Sequence, residues 1–209
     1  MQHAILNGRG DKAGSLDLSD SVFGAEWHED LVYRAVTFEA ANRRTGTAFF
    51  KNRDLMEMTT KKMYKQKGTG GARHGSRSAN IFVGGGQAFG GQRHNYKKKL
   101  APVMKARAVA ALLSARLKDG KVFVVDSFGV KEGRTKEASV ILKKIVPTAR
   151  RILVVVDKTD ALLKRAVKNI CGLEAVAFDQ LSALPLYQAD AIVAEAATLK
   201  KLDDRLVRG

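Results

Sequence analysis

Apolar residues first settle into a helical rhythm in Trp27-His28-Glu29-Asp30-Leu31-Val32-Tyr33-Arg34-Ala35-Val36-Thr37-Phe38, and the pattern continues to about Arg44. Gly46 is placed to end that helix. The rhythm then stops. No sustained period of 2 or 3.6 returns until after Leu100, where Pro102 suits a first helical turn and Val103, Ala106, Val109, Ala110 and Leu113 make one apolar face to about Leu117. Gly120 closes this second helix. Val122 to Asp126 then reads as a strand, Thr135 to Ile145 as a helix, and Ile152 to Asp157 as a strand. Asp160 to Ile170 reads as a helix, Ala175 to Phe178 and Ala191 to Ala194 as strands, and Glu195 to Leu206 as the last helix.

Unbroken apolar runs such as Ile152-Leu153-Val154-Val155-Val156 belong to strands buried on both faces, and strands alternating with crossover helices belong to parallel sheets. The expected fold is α/β: a doubly wound, mostly parallel sheet with helices on both faces, plus a long extended basic loop. Residues 1–44 and 100–209 would form the globular domain and residues 45–99 the loop.

Composition sharpens the picture of that loop. The 209-residue chain carries a formal net charge of +16, which calls for a polyanionic partner. From Met58 through Lys118 there is no Asp or Glu but there are fourteen basic residues, leaving 23 basic and 21 acidic residues elsewhere. Almost all the excess charge therefore lies in one segment, as in a specific binding element rather than a diffusely basic protein. A structureless loop of this length inside a compact domain is either disordered or ordered by a partner.

Other chemistries find little support. Cys171 is the single cysteine, and His3, His28, His74 and His94 are scattered, so neither an internal disulfide nor a zinc site is expected, and no metal or cofactor. The first residues lack the charged head and apolar run of a signal peptide, and no apolar stretch is long enough to span a membrane; a soluble, intracellular protein is expected. Gly68-Thr69-Gly70 lacks the frame of a phosphate-binding P-loop. Gly8-x-Gly10-x-x-Ala13 loosely matches a dinucleotide fingerprint, but Gly14 to Leu18 does not read as the helix that must follow. Asp126 and Asp157 end buried strands, where α/β enzymes often place catalytic groups, yet neither has a His, metal ligand or nucleophile string to complete a site. No enzymatic activity is expected.

Two strings carry the positive signal. The first is Tyr64-Lys65-Gln66-Lys67-Gly68-Thr69-Gly70-Gly71-Ala72-Arg73-His74-Gly75-Ser76-Arg77. Its glycines let the backbone turn tightly and approach phosphates, while the interleaved cations neutralise them and release counterions. The second is Ile81-Phe82-Val83-Gly84-Gly85-Gly86-Gln87-Ala88-Phe89-Gly90-Gly91, followed by Arg93, His94, Tyr96 and Lys97-Lys98-Lys99. Tyr64, Phe82, Phe89 and Tyr96 are candidates for stacking on unpaired bases. The expected RNA-phosphate contacts are Lys61, Lys62, Lys65, Lys67, Arg73, Arg77, Arg93, Lys97, Lys98 and Lys99.

These strings resemble the L4 family of large-ribosomal-subunit proteins in its bacterial form. The family's Trp-Arg-Gln-Lys-Gly-Thr-Gly-Arg-Ala-Arg is matched by Tyr64 to Arg73, and its Gly-Gly-Gly-x-x-Phe-Gly by Gly84 to Gly90. The similarity runs through Val22-Phe23-Gly24 and the elements after Pro102, covering essentially the whole chain. It implies a structural constituent of the large subunit, on the ribosome in the cytoplasm or an organelle. Its α/β domain would lie near the subunit surface, and its loop would thread the ribosomal RNA to line the peptide exit tunnel and support assembly. Lys65, Gln66, Lys67, Gly68, Thr69 and Gly70 would form the tunnel-lining tip. The implied partners are large-subunit ribosomal RNA, neighbouring ribosomal proteins and the nascent peptide, with a messenger RNA leader as an alternative RNA and no membrane. Three positions depart from the family pattern: Tyr64 stands for the usual Trp, Gly71 for a common Arg, and Val83 for a residue that is often basic.

Overall fold

The computed structural model describes residues 1–7, 10–130 and 133–208, the side chain of residue 208 excepted. The chain forms two compact units, residues 1–41 with 98–209, and residues 42–97.

The first unit is an α/β domain. Its strands are β1 (Gln2–Leu6), β2 (Lys12–Asp17), β3 (Val122–Val125), β4 (Ile152–Val156), β5 (Leu173–Ala177) and β6 (Ala191–Glu195). They form one sheet in the order β2-β1-β3-β6-β4-β5, in which only the β1–β2 pair is antiparallel. Its helices are α1 (Asp20–Phe23), α2 (Glu29–Arg43, ending just beyond this unit), α3 (Pro102–Lys118), α4 (Thr135–Ile145), α5 (Ala161–Lys168), α6 (Ala183–Gln188) and α7 (Ala196–Arg208). The expected mostly parallel architecture is the one observed.

The apolar runs explain the layering. Successive side chains of a strand point to opposite faces, so Leu153 and Val155 of β4 join Val124 of β3 and Ile192 of β6 in one core, beneath α3, α6 and α7. Val154 and Val156 join Val125 and Val193 in a second core, beneath α4 and α5. Each run is apolar throughout because both its faces are covered.

Three elements escaped the hydrophobic pattern. The hairpin β1–β2 lies at the sheet edge, where only Leu16 among its residues is fully buried, so it shows no apolar run. Gly10, with φ +92°, sits in its turn, and the strand that follows removes any dinucleotide-binding reading; Gly8 lies outside the described residues. The four-residue α1 and six-residue α6 are too short to show a period. The α6 N-terminus is capped from afar: the Glu39 carboxylate accepts hydrogen bonds from the Ala183 and Leu184 amides at 2.9 and 2.8 Å. Phe178, expected in β5, begins a 3-10 turn instead.

Candidate nucleic-acid interface

The second unit has no hydrophobic core of its own; both clusters of buried apolar residues lie in the α/β domain. Apart from the last residues of α2, its regular structure among the described residues is a single 3-10 turn, Arg53–Leu55. It is nevertheless tied together by its backbone. The Phe50 amide donates to Gly91 O at 3.0 Å and the Gln87 amide to Lys51 O at 2.9 Å, joining an outgoing leg to a returning one. Beyond this stem the chain makes two excursions. One, residues 63–75, is closed by the Met63 amide on Gly75 O at 3.1 Å, with the Tyr64 hydroxyl donating to Ala72 O. The other, residues 78–86, is closed by the Gly86 amide on Ser78 O at 3.0 Å.

Ser76 and Ser78 join the two excursions. Both are buried, their hydroxyls are 2.9 Å apart, and Ser76 Oγ also donates to Thr59 O at 3.1 Å. His74 adds an aromatic link, edge-on to Phe82 with centroids 4.9 Å apart and to Tyr64 at 6.3 Å. Polar bonds and edge-on ring contacts thus stand in for an apolar core. The pattern of hydrophobic positions cannot reveal such an arrangement.

Residues 65–70 all lie exposed within the first excursion. Gly68 and Gly70 hold φ of +84° and +68°, and a Cβ at either would have nothing within 4 Å, so glycine is needed there for backbone conformation and not for packing. Gly86 is the opposite case. A Cβ there would meet the Arg53 amide nitrogen at 2.5 Å, so glycine lets the two legs touch.

The expected phosphate-binding cations are all exposed. The unit holds twelve Lys and Arg against two acids, Asp54 and Glu57, and among the described residues Lys61, Lys62, Lys65, Lys67, Arg73, Arg77, Arg93 and Lys97 form no ion pair. Lys62 is hydrogen-bonded to Gln66, and the Arg93 guanidinium lies 5.5 Å from the Phe49 ring centroid. Lys98 and Lys99, also exposed, fall in the first unit.

The four candidate stacking rings separate into two kinds. Tyr64 and Phe82 flank His74, while Tyr96 packs edge-on to His94 at 4.5 Å and carries the Arg44 guanidinium 3.9 Å from its centroid. Phe89 is fully exposed, and among the described residues no ring or cation packs against it. Ile81 and Val83 are also exposed, so the second excursion presents an apolar edge unmarked by any charge pattern. Arg44 is a further cation of the interface, signalled in sequence only by the Arg43-Arg44 pair before Gly46.

The sheet offers one other place for a ligand. In doubly wound folds ligands sit beyond strand C-termini where the order reverses, here at β3, β6 and β4. Glu195 accepts from the Phe128 amide at 3.0 Å and from the buried Thr198 hydroxyl at 3.4 Å. Asp157 pairs with Lys201 at 2.8 Å, whereas Asp126 faces solvent. Two of the three acids there bind the chain's own groups, which is a structural use of them. Among the described residues no cluster of His, Cys, Asp and Glu could hold a metal, and no helix is long and apolar enough to cross a membrane.

Comparison with known proteins agrees over the whole length. The family model described as the ribosomal protein L4/L1 family matches residues 16–205. The chain is 32% identical to the large ribosomal subunit protein uL4 of Borreliella burgdorferi (strain ZS7) over 209 residues, all of both chains. It is 33% identical to that of Staphylococcus carnosus over 202 residues, 97% of each chain. It is 35% identical to that of Chlorobium chlorochromatii over 207 residues, 99% of this chain and all of the relative.

Proposed function

The chain belongs to the ribosomal protein L4/L1 family, and on that premise we propose that its loop, residues 45–99, is a ribosomal-RNA-binding element whose first excursion lines the peptide exit tunnel. The protein is a structural component of the large ribosomal subunit serving translation, and not an enzyme. The observation that carries the finer reading is the uncompensated charge of residues 42–97: twelve cations, two acids, and no apolar core to give the segment another purpose.

Phosphate contacts from Lys61, Lys62, Lys65, Lys67, Arg73, Arg77, Arg93, Lys97, Lys98 and Lys99 position the loop without reading sequence. Specificity then rests on RNA shape, on glycine backbone close to phosphates, and on Phe89, whose ring faces are uncommitted. Tyr64, Phe82 and Tyr96 reach bases only by exchanging their contacts within the loop. Two legs of about 27 residues at about 3.3 Å each have an upper reach on the order of 90 Å, so even a half-extended loop penetrates deeply. Ordering costs about 1 to 2 kcal/mol per residue. The few backbone ties within the loop offset part of that cost, and RNA contacts supply the rest.

The test is sedimentation. Tagged protein should co-migrate with large subunits through a high-salt wash, and a photo-crosslinker replacing Gln66 should capture nascent chains on stalled ribosomes. Release by the wash would contradict an integral role, and a crosslinker at residue 66 that reaches RNA but never the nascent chain would contradict tunnel lining.

A further inference from the structure

The α/β domain carries an exposed aromatic patch that the loop's function does not use. Trp27, Tyr33 and Tyr187 are 49%, 67% and 52% exposed, although large aromatic rings on a monomer are usually well covered. They wall a cavity of about 430 Å³ whose floor includes Val32 and whose rim includes Glu29. A second depression of about 290 Å³ shares Trp27 and Tyr187 and continues toward Leu112 and Asp119. Among the described residues no two of these three rings stack on each other. The space between them is open, and two depressions sharing two walls suit an extended chain.

The patch is held in place by its surroundings. Ser114 Oγ, buried in α3, donates to Ala25 O at 2.8 Å and fixes the segment carrying Trp27. Glu39 caps α6, and Arg116 donates to Tyr187 O at 2.9 Å, which fixes Tyr187. Tyr33 sits on α2 beside the buried Val32. Little reorganisation is needed on binding.

Among the described residues Glu29 is the one charged side chain lining the first depression, opposite in sign to the loop. Arg34 is paired with Asp30 at 3.0 Å, and the second depression carries charges of both signs, Arg116, bound to Tyr187 O, and Asp119, paired with Lys121 at 3.0 Å. The Glu29 carboxylate has no partner among the described residues. Its full negative charge outweighs the roughly half positive charge of the α2 N-terminus. Aromatic faces with an adjacent carboxylate attract a cationic side chain and repel a phosphate backbone.

We propose that the Trp27–Tyr33–Tyr187 groove, with Glu29 at its rim, receives an arginine- or lysine-bearing extended segment of a basic protein neighbour. The residues lining the groove all belong to the α/β domain and none to the loop, so either reading can fail without the other. Trp27 is the only tryptophan of the chain and reports on the site directly. A blocked peptide of alternating Gly and Arg, titrated into the full-length protein, should change Trp27 emission saturably. Glu29→Gln should weaken the peptide up to about fivefold, as expected for loss of one exposed ion pair, with an unchanged circular dichroism spectrum. Tyr187→Ala should weaken it as well, through loss of a ring face. Emission that the peptide does not alter, or an affinity indifferent to Glu29→Gln, would overturn the proposal. So would a short oligouridylate that moves Trp27 emission where the peptide does not, since the groove would then be an RNA surface.

Discussion

The α/β domain and the loop are held together by different physics within one chain. In the domain, residues such as Ile192, Val193 and Leu202 are wholly buried, and the sheet order follows from apolar runs covered on two faces. In residues 42–97 the buried side chains are Ser76 and Ser78, and the ties are single backbone hydrogen bonds across two legs. Each such bond contributes only about 1 kcal/mol, whereas burial of one large apolar side chain contributes about 1.5 to 3 kcal/mol. The domain is therefore stable by itself. On the proposed reading, the loop holds a shape that an anionic partner completes.

The contrast predicts separable effects. The largest belongs to the core: Ile192→Ala should lower unfolding free energy by about 2–5 kcal/mol in urea titrations, with no change in the RNA affinity of the folded protein. An altered affinity would mean that the domain itself carries the RNA site. Next is Phe89→Ala, which should cost about 1–3 kcal/mol in RNA binding if its open ring stacks on a base. Thermal stability should not move, and unaltered affinity would assign Phe89 to protein contacts instead.

The smallest change tests the departure at Gly71. No neighbour lies within 4 Å of a Cβ placed there and its φ is not positive, so the loop accommodates a side chain. Gly71→Arg should tighten RNA binding modestly and steepen the dependence of log affinity on log salt by about 0.7 to 0.9. An unchanged slope would show that residue 71 does not face phosphate. At Gly86 even a methyl group should disturb the stem, because Arg53 backbone occupies the space, so Gly86→Ala should weaken RNA binding while domain stability holds.

How much was legible in the sequence follows the same division. Long apolar runs announced β3, β4 and β6, and helical spacing announced α2, α3 and α7, because these elements owe their form to burial. The hairpin β1–β2 stayed hidden because its edge position asks for little burial, and α6 because its cap comes from Glu39, 144 residues away. In the loop, charge and glycine were visible, but the pairing of its legs was not. That pairing depends on amides and on Ser76, Ser78 and His74, residues with no periodic signature. The split among the aromatics, Phe89 open and Tyr64, Phe82 and Tyr96 engaged, is likewise a property of the folded loop.

The loop's ends make the decisive comparison practical. Gly46 and His94 pass close enough that a Cβ on Gly46 would lie 2.0 Å from His94 O, so a short Gly-Ser linker can replace residues 47–93. The measurement is the slope of log affinity for large-subunit ribosomal RNA against log salt, for the full chain and for this replacement. If about six loop cations each neutralise a phosphate, the full chain should give about −4 to −5. The replacement, still folded and retaining Lys97, Lys98 and Lys99, should bind on the order of a hundredfold more weakly at moderate salt with a slope shallower than about −3. Equal slopes and equal affinities would contradict the claim that the loop is the RNA-binding element.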